Sequence, residues 1–386
     1  MEWKRVMAME RKELFARVKT VVVKIGTAAL SNEQGGLDEA AVERLAGQVH
    51  ALRKRGLQVI LVSSGAVGAG MNALGIARRP THLPEVQACA AVGQGLLTAM
   101  YDKCFRKWGS HAAQVLLTRD DLNHRRRYLN ASNTLQALLR MGVVPVINEN
   151  DTVSLDELMG ISFSDNDRLA ALVVSLLGAD MLILLTVVDG LLENPDAPEA
   201  ERRVVSVVEQ VSDQVRGLAT SARSRGGKGG MDSKLEAAHI TTEAGAAMVI
   251  ANARVPRVLE RLFDAEKLGT LFLPARTRMT GLKRWLRHGS RPKGILTVDA
   301  GARRALVEGG KSLLPSGVVN VTGEFERNDL VAVQDDQGHE FARGQVNYSS
   351  DEMRKIQGQK TAAVRRLLPE APCDEAIHRD HLALGS

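Results

Sequence analysis

The sequence predicts an α/β protein with a mainly parallel sheet, followed by a small, mostly β domain. In the first 275 residues, short β-branched runs alternate with segments whose apolar residues recur at helical spacing. From about residue 293 the helices give way to short strands separated by turn residues. The 386 residues are 44% hydrophobic, which suffices for the cores of two or three domains and excludes disorder as the main state.

The first three elements form a βαβ unit. Residues 21–25 are apolar on both sides and predict a strand that is buried on both faces. Residues 38–55 predict a helix, with Asp38 as the N-cap and Gly56 at its end. Residues 59–62 predict a second buried strand. A strand, a helix and a strand in this order imply a parallel pair.

The alternation continues to the end of the first domain and then changes. Further strands of the first domain are predicted at 112–117, 143–147, 181–185 and 247–251. Its further helices are predicted at 129–141, 167–177 and 235–244. In the second domain, the predicted strands are 295–298, 318–321, 330–333 and 340–346, with one short helix at 300–308. The end of the chain predicts a helix from about residue 357 and then a polar segment.

We therefore expect five parts along the chain. They are an N-terminal extension (1–18), the α/β domain (19–275), a basic linker (276–292), the second domain (293–370) and a tail (371–386). From residue 276 to residue 293 there are seven basic residues and no acidic one. The whole chain has 51 Lys and Arg against 45 Asp and Glu, a net charge of +6, which permits an anionic ligand without requiring nucleic acid.

The spacing of the cysteines and the length of the apolar runs predict the cellular compartment. The three cysteines, Cys89, Cys104 and Cys373, lie far apart and form neither a disulfide framework nor a zinc motif. The first residues mix acidic and basic side chains, unlike a signal peptide. Every apolar run is far shorter than the ~18 residues of a membrane span. We therefore expect a cytoplasmic protein with no membrane partner.

Parallel sheets bind their ligands beyond the carboxyl ends of the strands. Polar residues lie at several of these positions in this sequence. Lys24 lies at the end of the first strand, where burying an ammonium group is costly unless an anion meets it. The polar run 148–151 follows another strand, and the run 164–167 precedes a helix. Their carboxylates and amides suit an ammonium group, a ligand carboxylate or a hydrated Mg²⁺. Turns and helix caps are the alternative explanation.

Two glycine-rich segments add places where an anion can bind. Residues 63–70 follow the second strand and leave backbone N–H groups open at a helix start, with close helix packing as the alternative. Residues 225–234 place four glycines before Ser233 and Lys234, which predicts a phosphate cradle rather than a flexible loop. Together with the polar runs, these features indicate phosphoryl transfer, which needs positive charge, a metal and alignment.

These segments resemble, in this order, the amino-acid kinase family, and within it the branch that phosphorylates L-glutamate. The resemblance spans about residues 19–370 and is carried by the motifs 22–27, 63–66, 145–151, 165–167, 184–186 and 229–234. The second domain resembles a PUA domain, an RNA-binding type of fold. The resemblance implies a three-layer sandwich around a mainly parallel sheet. It also implies ATP-dependent phosphorylation of the γ-carboxylate of L-glutamate to glutamyl 5-phosphate, the first step of proline biosynthesis.

The resemblance further implies a role for individual residues. The catalytic residues are expected to be Lys24, Asp167 and Lys234, with Mg²⁺ near Asp165. The residues expected to bind L-glutamate are Ser64, Asn148, Asp151 and Asn166. The residues expected to hold ATP are Lys24, Thr186, Val187, Lys228, Gly229, Gly230, Met231, Asp232, Ser233 and Lys234. A homo-oligomer and feedback inhibition by proline are further expectations.

Two positions depart from the family pattern. Val187 stands where Thr186 is usually followed by Asp, so a nucleotide contact through that side chain is lost while a backbone contact stays available. Asp189 matches a second acidic position that is common in the family. Lys228 stands where a small or hydroxyl residue is frequent, and it either adds a phosphate contact or extends into solvent. Neither change removes a predicted catalytic group.

Three alternatives stay open on the sequence. One is a related kinase that acts on acetylglutamate, aspartate or a phosphate ester, against which the run 148–151 and the second domain argue. Another is an RNA-binding or RNA-modifying protein that uses the second domain and the basic linker, although that domain offers few aromatic side chains for stacking on bases. The last is a catalytically inactive regulatory homologue, which is disfavoured because all three predicted catalytic residues are present.

Overall fold

The computed structural model describes residues 11–32, 36–153, 166–194, 197–198, 201–220, 230–275, 286, 292–369 and 373–385. The chain divides into two compact units. The first comprises Met1–Leu122 and Arg126–Arg278, and the second comprises Asn123–Arg125 and Met279–Ser386. Among the residues just given, no helix combines the length and the apolar character needed to cross a bilayer. The predicted domain boundaries stay predictions, because nearly all of the segment from 276 to 291 lies outside the described residues.

An eight-stranded sheet forms the centre of the first unit. Its strands are β1 (Thr20–Ile25), β2 (Gln58–Ser63), β3 (Ala112–Leu117), β4 (Val144–Glu149), β5 (Met181–Thr186), β6 (Val207–Val208), β7 (Ala247–Asn252) and β8 (Thr270–Phe272). Their order is β3-β4-β2-β1-β5-β7-β8-β6. The pairs from β3 to β7 are parallel, whereas β8 pairs antiparallel with β7. The six longer strands are those that the sequence predicts, so a mainly parallel sheet is confirmed.

Besides residues 11–17, which are also helical, ten helices are described in this unit. They are α1 (Thr27–Leu30), α2 (Glu39–Lys54), α3 (Ala66–Ala73), α4 (Leu83–Arg106), α5 (Arg119–Asn123), α6 (Arg125–Arg140), α7 (Asn166–Leu177), α8 (Asp213–Thr220), α9 (Met231–Glu243) and α10 (Val258–Phe263). Asp38 caps α2 as predicted, because its carboxylate accepts a hydrogen bond from the backbone N–H of Ala41 at 3.2 Å. Gly56 follows the helix with φ of +87°, a conformation that favours glycine.

The first unit has three layers, with helices on both faces of the sheet. The side chains of β1 alternate between these two faces. Val21, Val23 and Ile25 belong to one core cluster, which also contains buried side chains of α2, α4 and α10. Because successive residues of a strand point to opposite faces, Val22 and Lys24 face the other side of the sheet. There Lys24 contacts Asp167 of α7, and Asp167 also contacts Lys234 of α9. The sheet is therefore covered by helices on both faces, as the fold class requires.

Helix α4 is the longest in the structure described, with 24 residues, and the sequence patterns did not predict it. It packs closely on α3 through two glycines. A Cβ atom at Gly70 would lie 1.8 Å from the carbonyl oxygen of Cys89, and one at Gly93 would lie 1.8 Å from that of Ala66. Gly70, the last residue of the segment 63–70, therefore serves close helix–helix packing.

The N-terminal extension contributes to the core of the first unit. Residues 11–17 are helical, and Phe15 is 3% exposed within the core cluster of α2, α4 and α10. The guanidinium of Arg11 donates a hydrogen bond to the carbonyl oxygen of Leu268 at 2.8 Å. Burial lowers the pKa of Arg11 below its ordinary value.

The second unit is built on a five-stranded sheet in the order β10-β9-β11-β12-β13. These strands are β9 (Gly294–Val298), β10 (Val318–Gly323), β11 (Leu330–Gln334), β12 (Glu340–Gln345) and β13 (Leu382–Leu384). Its helices are α11 (Ala300–Val307), α12 (Ser350–Ile356) and α13 (Thr361–Leu367). The four predicted strands and the helix after β9 are confirmed. The fifth strand comes from the predicted tail and pairs with β12.

We expect the contact between α3 and α4 to tolerate no side chain at Gly93. Gly93→Ala places a methyl group against a backbone carbonyl, and overpacking of this kind costs roughly 1–3 kcal/mol of unfolding free energy. Gly95→Ala, two residues along the same helix, meets nothing within 4 Å and is expected to be neutral or to stabilise by up to ~1 kcal/mol. Thermal unfolding of both variants measures the difference. Equal midpoints would contradict the close packing.

Candidate active site

Three buried charged side chains meet at the carboxyl edge of the large sheet. Lys24 Nζ lies 2.5 Å from one carboxylate oxygen of Asp167, and Lys234 Nζ lies 2.9 Å from the other. Asp167 is 1% exposed and each lysine is 8% exposed. Residues that are far apart in the sequence therefore form one cluster, which we call the lysine–aspartate cluster.

Each member of the lysine–aspartate cluster is held by a different element. Lys24 is the fifth of six residues of β1, between the buried Val23 and Ile25. Asp167 lies in the first turn of α7, which packs on that face of the sheet. Lys234 lies in the first turn of α9, whose N-cap is Gly230. Gly26 follows the strand, and a Cβ atom there would lie 3.8 Å from the Lys24 ammonium, so the glycine leaves the approach to this nitrogen open.

The two ammonium groups keep Asp167 ionised. Burial alone would raise the pKa of this carboxyl, but the charges of Lys24 and Lys234, and the hydrogen bonds from both, outweigh burial and leave the pKa below its ordinary value. The cluster carries two positive charges and one negative charge. The charges of these three groups sum to +1, which favours the approach of an anionic ligand.

A network of polar side chains lies next to the lysine–aspartate cluster. The amide nitrogen of Asn166 donates to the Ser63 carbonyl oxygen at 2.8 Å, to the Ser64 hydroxyl at 2.7 Å and to the Asn148 side-chain oxygen at 3.0 Å. The amide nitrogen of Asn148 donates in turn to Gln94 at 2.9 Å. Three of the four residues predicted to bind the substrate are therefore in direct contact. Gln94, from the unpredicted helix α4, orients one of them.

A cavity of about 210 Å³ opens beside this network. It is lined by Thr27, Ser64, Gly65, Ala66, Val67, Gly68, Met71, Arg79, Asn148, Glu149, Asp151 and Asn166. It is smaller than the roughly 300–1,000 Å³ of sites for drug-sized ligands, which suits a single small metabolite. All four residues predicted to bind the substrate line it. The sequence reasoning missed Arg79, because nothing in the local pattern indicates that a loop arginine turns toward the strand ends.

Gly65 sets the direction in which the chain leaves β2. Its φ of +107° lies in the left-handed region, which a glycine adopts at little cost. It is the N-cap of α3, and the first residues of that helix line the cavity. Backbone N–H groups at a helix start attract anions, as the sequence analysis predicted for this segment.

The residues predicted to hold the nucleotide lie partly within the described structure. Thr186 ends β5, and Val187, which follows it, is 42% exposed. Gly230 precedes α9, whose first residues are Met231, Asp232 and Ser233. Asp189 accepts a hydrogen bond from the Asn252 amide at 2.8 Å. Lys228, Gly229 and Asp165 lie outside the described residues.

A metal ion at this site would need oxygen donors from its side chains. In the described ranges, which omit 154–165 and 221–229, no group of three His, Cys, Asp or Glu side chains is arranged to hold one. Mg²⁺ does not require such a group, because it binds through one or two carboxylates together with substrate phosphates and water. Both oxygens of Asp167 contact lysines.

Comparison with known proteins agrees with the fold and the site. The amino acid kinase family matches residues 19–252, and the PUA domain matches residues 294–368. The glutamate 5-kinase of Caldanaerobacter subterraneus subsp. tengcongensis is 48% identical over 364 residues, which is 94% of this chain and 97% of that protein. The glutamate 5-kinase of Geobacter sp. (strain M21) is 45% identical over 374 residues, or 97% of this chain and 100% of that protein.

The sheet, the lysine–aspartate cluster and the family match define a kinase of the amino acid kinase family with a C-terminal PUA domain. On its similarity to these relatives over nearly its whole length, the chain belongs to the glutamate 5-kinases.

We expect the ionised form of Asp167 to stabilise the fold only above acidic pH. Its folded-state pKa lies below the ordinary value of about 3.9, so its contribution is complete above that value and is lost as the pH falls through the lower, folded-state pKa. Asp167→Asn leaves two buried lysines without their carboxylate and is expected to cost roughly 3–5 kcal/mol at pH 7. The difference from the parent is expected to shrink below about pH 4.

Denaturant unfolding at several pH values from 7 to 3 measures this difference. Asp213→Asn, which changes an exposed carboxylate in the same unit, is the control and is expected to change stability by less than about 1 kcal/mol. A cost of Asp167→Asn that is the same at pH 7 and at pH 3 would contradict the assignment.

Proposed function

We propose that the chain transfers the γ-phosphoryl group of ATP to the γ-carboxylate of L-glutamate, giving glutamyl 5-phosphate and ADP, the first step of proline biosynthesis. The similarity to the glutamate 5-kinases supports the reaction. The observation that carries the mechanism is the placement of two buried ammonium groups on one buried carboxylate beside a small polar cavity.

The two lysines offset the repulsion between the anionic substrates, which is the main physical obstacle to the reaction. A carboxylate that attacks a phosphoryl group brings two anions together, and two unit charges 4 Å apart repel by about 4 kcal/mol at an effective dielectric constant of 20. Lys24 and Lys234 are the catalytic residues that offset this repulsion as charge develops in the transition state. They need no reorganisation, because the protein already holds them in place.

Asp167 acts through the lysines. Its ionised carboxylate contacts both nitrogens and so fixes their positions. With both of its oxygens turned to the lysines, it is not the base or the nucleophile of the reaction. No general base is needed, since the acceptor carboxylate is already ionised at neutral pH.

L-Glutamate is assigned to the cavity of about 210 Å³. Asp151, which lines the cavity, is the partner for the α-ammonium group, as the family resemblance implies. Ser64, Asn148 and Asn166 position the substrate through the amide network that joins them. In this arrangement the γ-carboxylate extends toward Lys24.

ATP is assigned to the ends of β5 and β7 and to the start of α9. The segment 228–234 receives the phosphates, and Lys234 in the first turn of α9 contacts the transferred group. Thr186 and the backbone of Val187 contact the nucleotide. Mg²⁺ supplies positive charge on the nucleotide phosphates, with Asp165 as its protein carboxylate.

The remaining expectations concern partners and location. The comparisons give no support to the RNA-binding alternative. A homo-oligomer, feedback inhibition by proline and a cytoplasmic location stay predictions that rest on the family resemblance and the sequence composition.

We expect Lys24→Ala and Lys234→Ala each to lower kcat by roughly 10²–10³-fold, because each removes charge stabilisation of the transition state. The double variant is expected to lose less than the product of the two losses, since the lysines act as one unit. Lys54→Ala, at an exposed position of α2, is the control and keeps parental activity. ADP release and trapping of the acyl phosphate with hydroxylamine measure the two products separately.

The acceptor is tested with the parent protein. L-Glutamate is expected to be turned over, and N-acetyl-L-glutamate and L-aspartate far more slowly. The absence of turnover with free L-glutamate in the parent would refute the proposed function. Parental kcat in both lysine variants would refute the mechanism while leaving the substrate assignment in place.

A further inference from the structure

One charged group of L-glutamate has no partner among the residues assigned so far to the cavity. Among the described residues that line it, three are charged: Arg79, Glu149 and Asp151. L-Glutamate brings one ammonium and two carboxylates. The ammonium has an acidic partner in the cavity, and the γ-carboxylate points to the buried lysines. The α-carboxylate is left without an assigned cation.

The side-chain amides of the cavity are largely used by the protein itself. The amide nitrogen of Asn166 has two N–H groups and contacts three protein acceptors within 3.0 Å. The amide nitrogen of Asn148 gives one of its two N–H groups to Gln94. The side chains predicted to bind the substrate therefore leave few donors for a second carboxylate, and a charged donor satisfies it better than a neutral one.

Arg79 has the location that this role requires. It lies in the loop between α3 and α4, and Val67, Gly68 and Met71 on one face of α3 line the same cavity. The lysines at the γ-carboxylate end are buried, whereas Arg79 is exposed. L-Glutamate therefore extends from the lysine–aspartate cluster to the mouth of the cavity. Its α-carboxylate then lies at the exposed end, near Arg79.

We propose that Arg79 binds the α-carboxylate of L-glutamate and selects acceptors that carry this group. The guanidinium offers paired N–H donors that match the two oxygens of a carboxylate, which an ammonium group does not. Arg79 and Asp151 together recognise the amino-acid end of the substrate by its two opposite charges. This inference rests on the proposed function, because it takes L-glutamate as the occupant of the cavity.

The test compares Arg79→Met with Arg78→Met in the full-length protein. Arg78 is also exposed and adjacent in sequence, but it lies outside the cavity lining, so it is a matched control. Arg79→Met is expected to raise KM for L-glutamate roughly 10- to 100-fold, the usual effect of losing a charged hydrogen bond. KM for ATP and kcat are expected to stay within about twofold of the parent. The reason is that Arg79 contacts the α-carboxylate equally in the ground state and in the transition state.

A second readout identifies the substrate group that Arg79 contacts. 4-Aminobutanoate keeps the ammonium and the reacting carboxylate of L-glutamate but lacks the α-carboxylate. Its inhibition constant is expected to be the same in the parent and in Arg79→Met, whereas glutarate, which keeps both carboxylates, is expected to inhibit the variant more weakly. Arg79→Lys is expected to restore part of the affinity for L-glutamate, since it returns the charge without the paired donors.

The outcomes separate this inference from the proposed function. If the parent does not phosphorylate L-glutamate, both fail. If the parent is active and Arg79→Met keeps the parental KM for L-glutamate, only the role of Arg79 is refuted. Equal weakening of 4-aminobutanoate and glutarate, or an equal rise of KM for L-glutamate in Arg78→Met, would also overturn it, since neither reflects a specific contact with the α-carboxylate.

Discussion

The structure depends on keeping two ammonium groups buried at one edge of a sheet. Asp167 contacts both ammonium groups, and the charges of the two lysines keep this carboxylate ionised despite its burial. Such a cluster is costly to bury, and replacing it with apolar side chains would often be neutral for stability. Its net positive charge instead suits a site that receives phosphate, so the arrangement serves the reaction more than the fold.

The fold supplies the precision that this cluster needs. The alternation of β1 sends Lys24 to the face covered by α7 and α9, while Val21, Val23 and Ile25 anchor the strand in the opposite core. The N-terminal turns of α7 and α9 deliver Asp167 and Lys234 to the same edge. Reacting groups held on regular elements move less than groups on loops, which is what catalysis by positioning requires.

Much of this arrangement could be predicted from the sequence, because it follows from local patterns. Three local patterns each indicate the edge of the sheet that binds ligands: a lysine in an apolar strand, polar runs after strands, and glycines before a helix. Six strands of the sheet are predicted by β-branched runs. The long helix α4 was missed because its contacts with α3 use Gly70 and Gly93, whose role is visible only in three dimensions. Arg79 and the strand at 382–384 were missed for the same reason, since each depends on a partner distant in sequence.

The central claim is that both lysines contact the phosphoryl group during transfer. A crystal structure with ADP, Mg²⁺, L-glutamate and aluminium fluoride, a mimic of the transferring group, tests it most directly. The account predicts that Lys24 Nζ and Lys234 Nζ both lie within about 3.2 Å of the fluoride atoms, with Asp167 still contacting both. A structure in which either lysine turns away from the mimic would contradict the account.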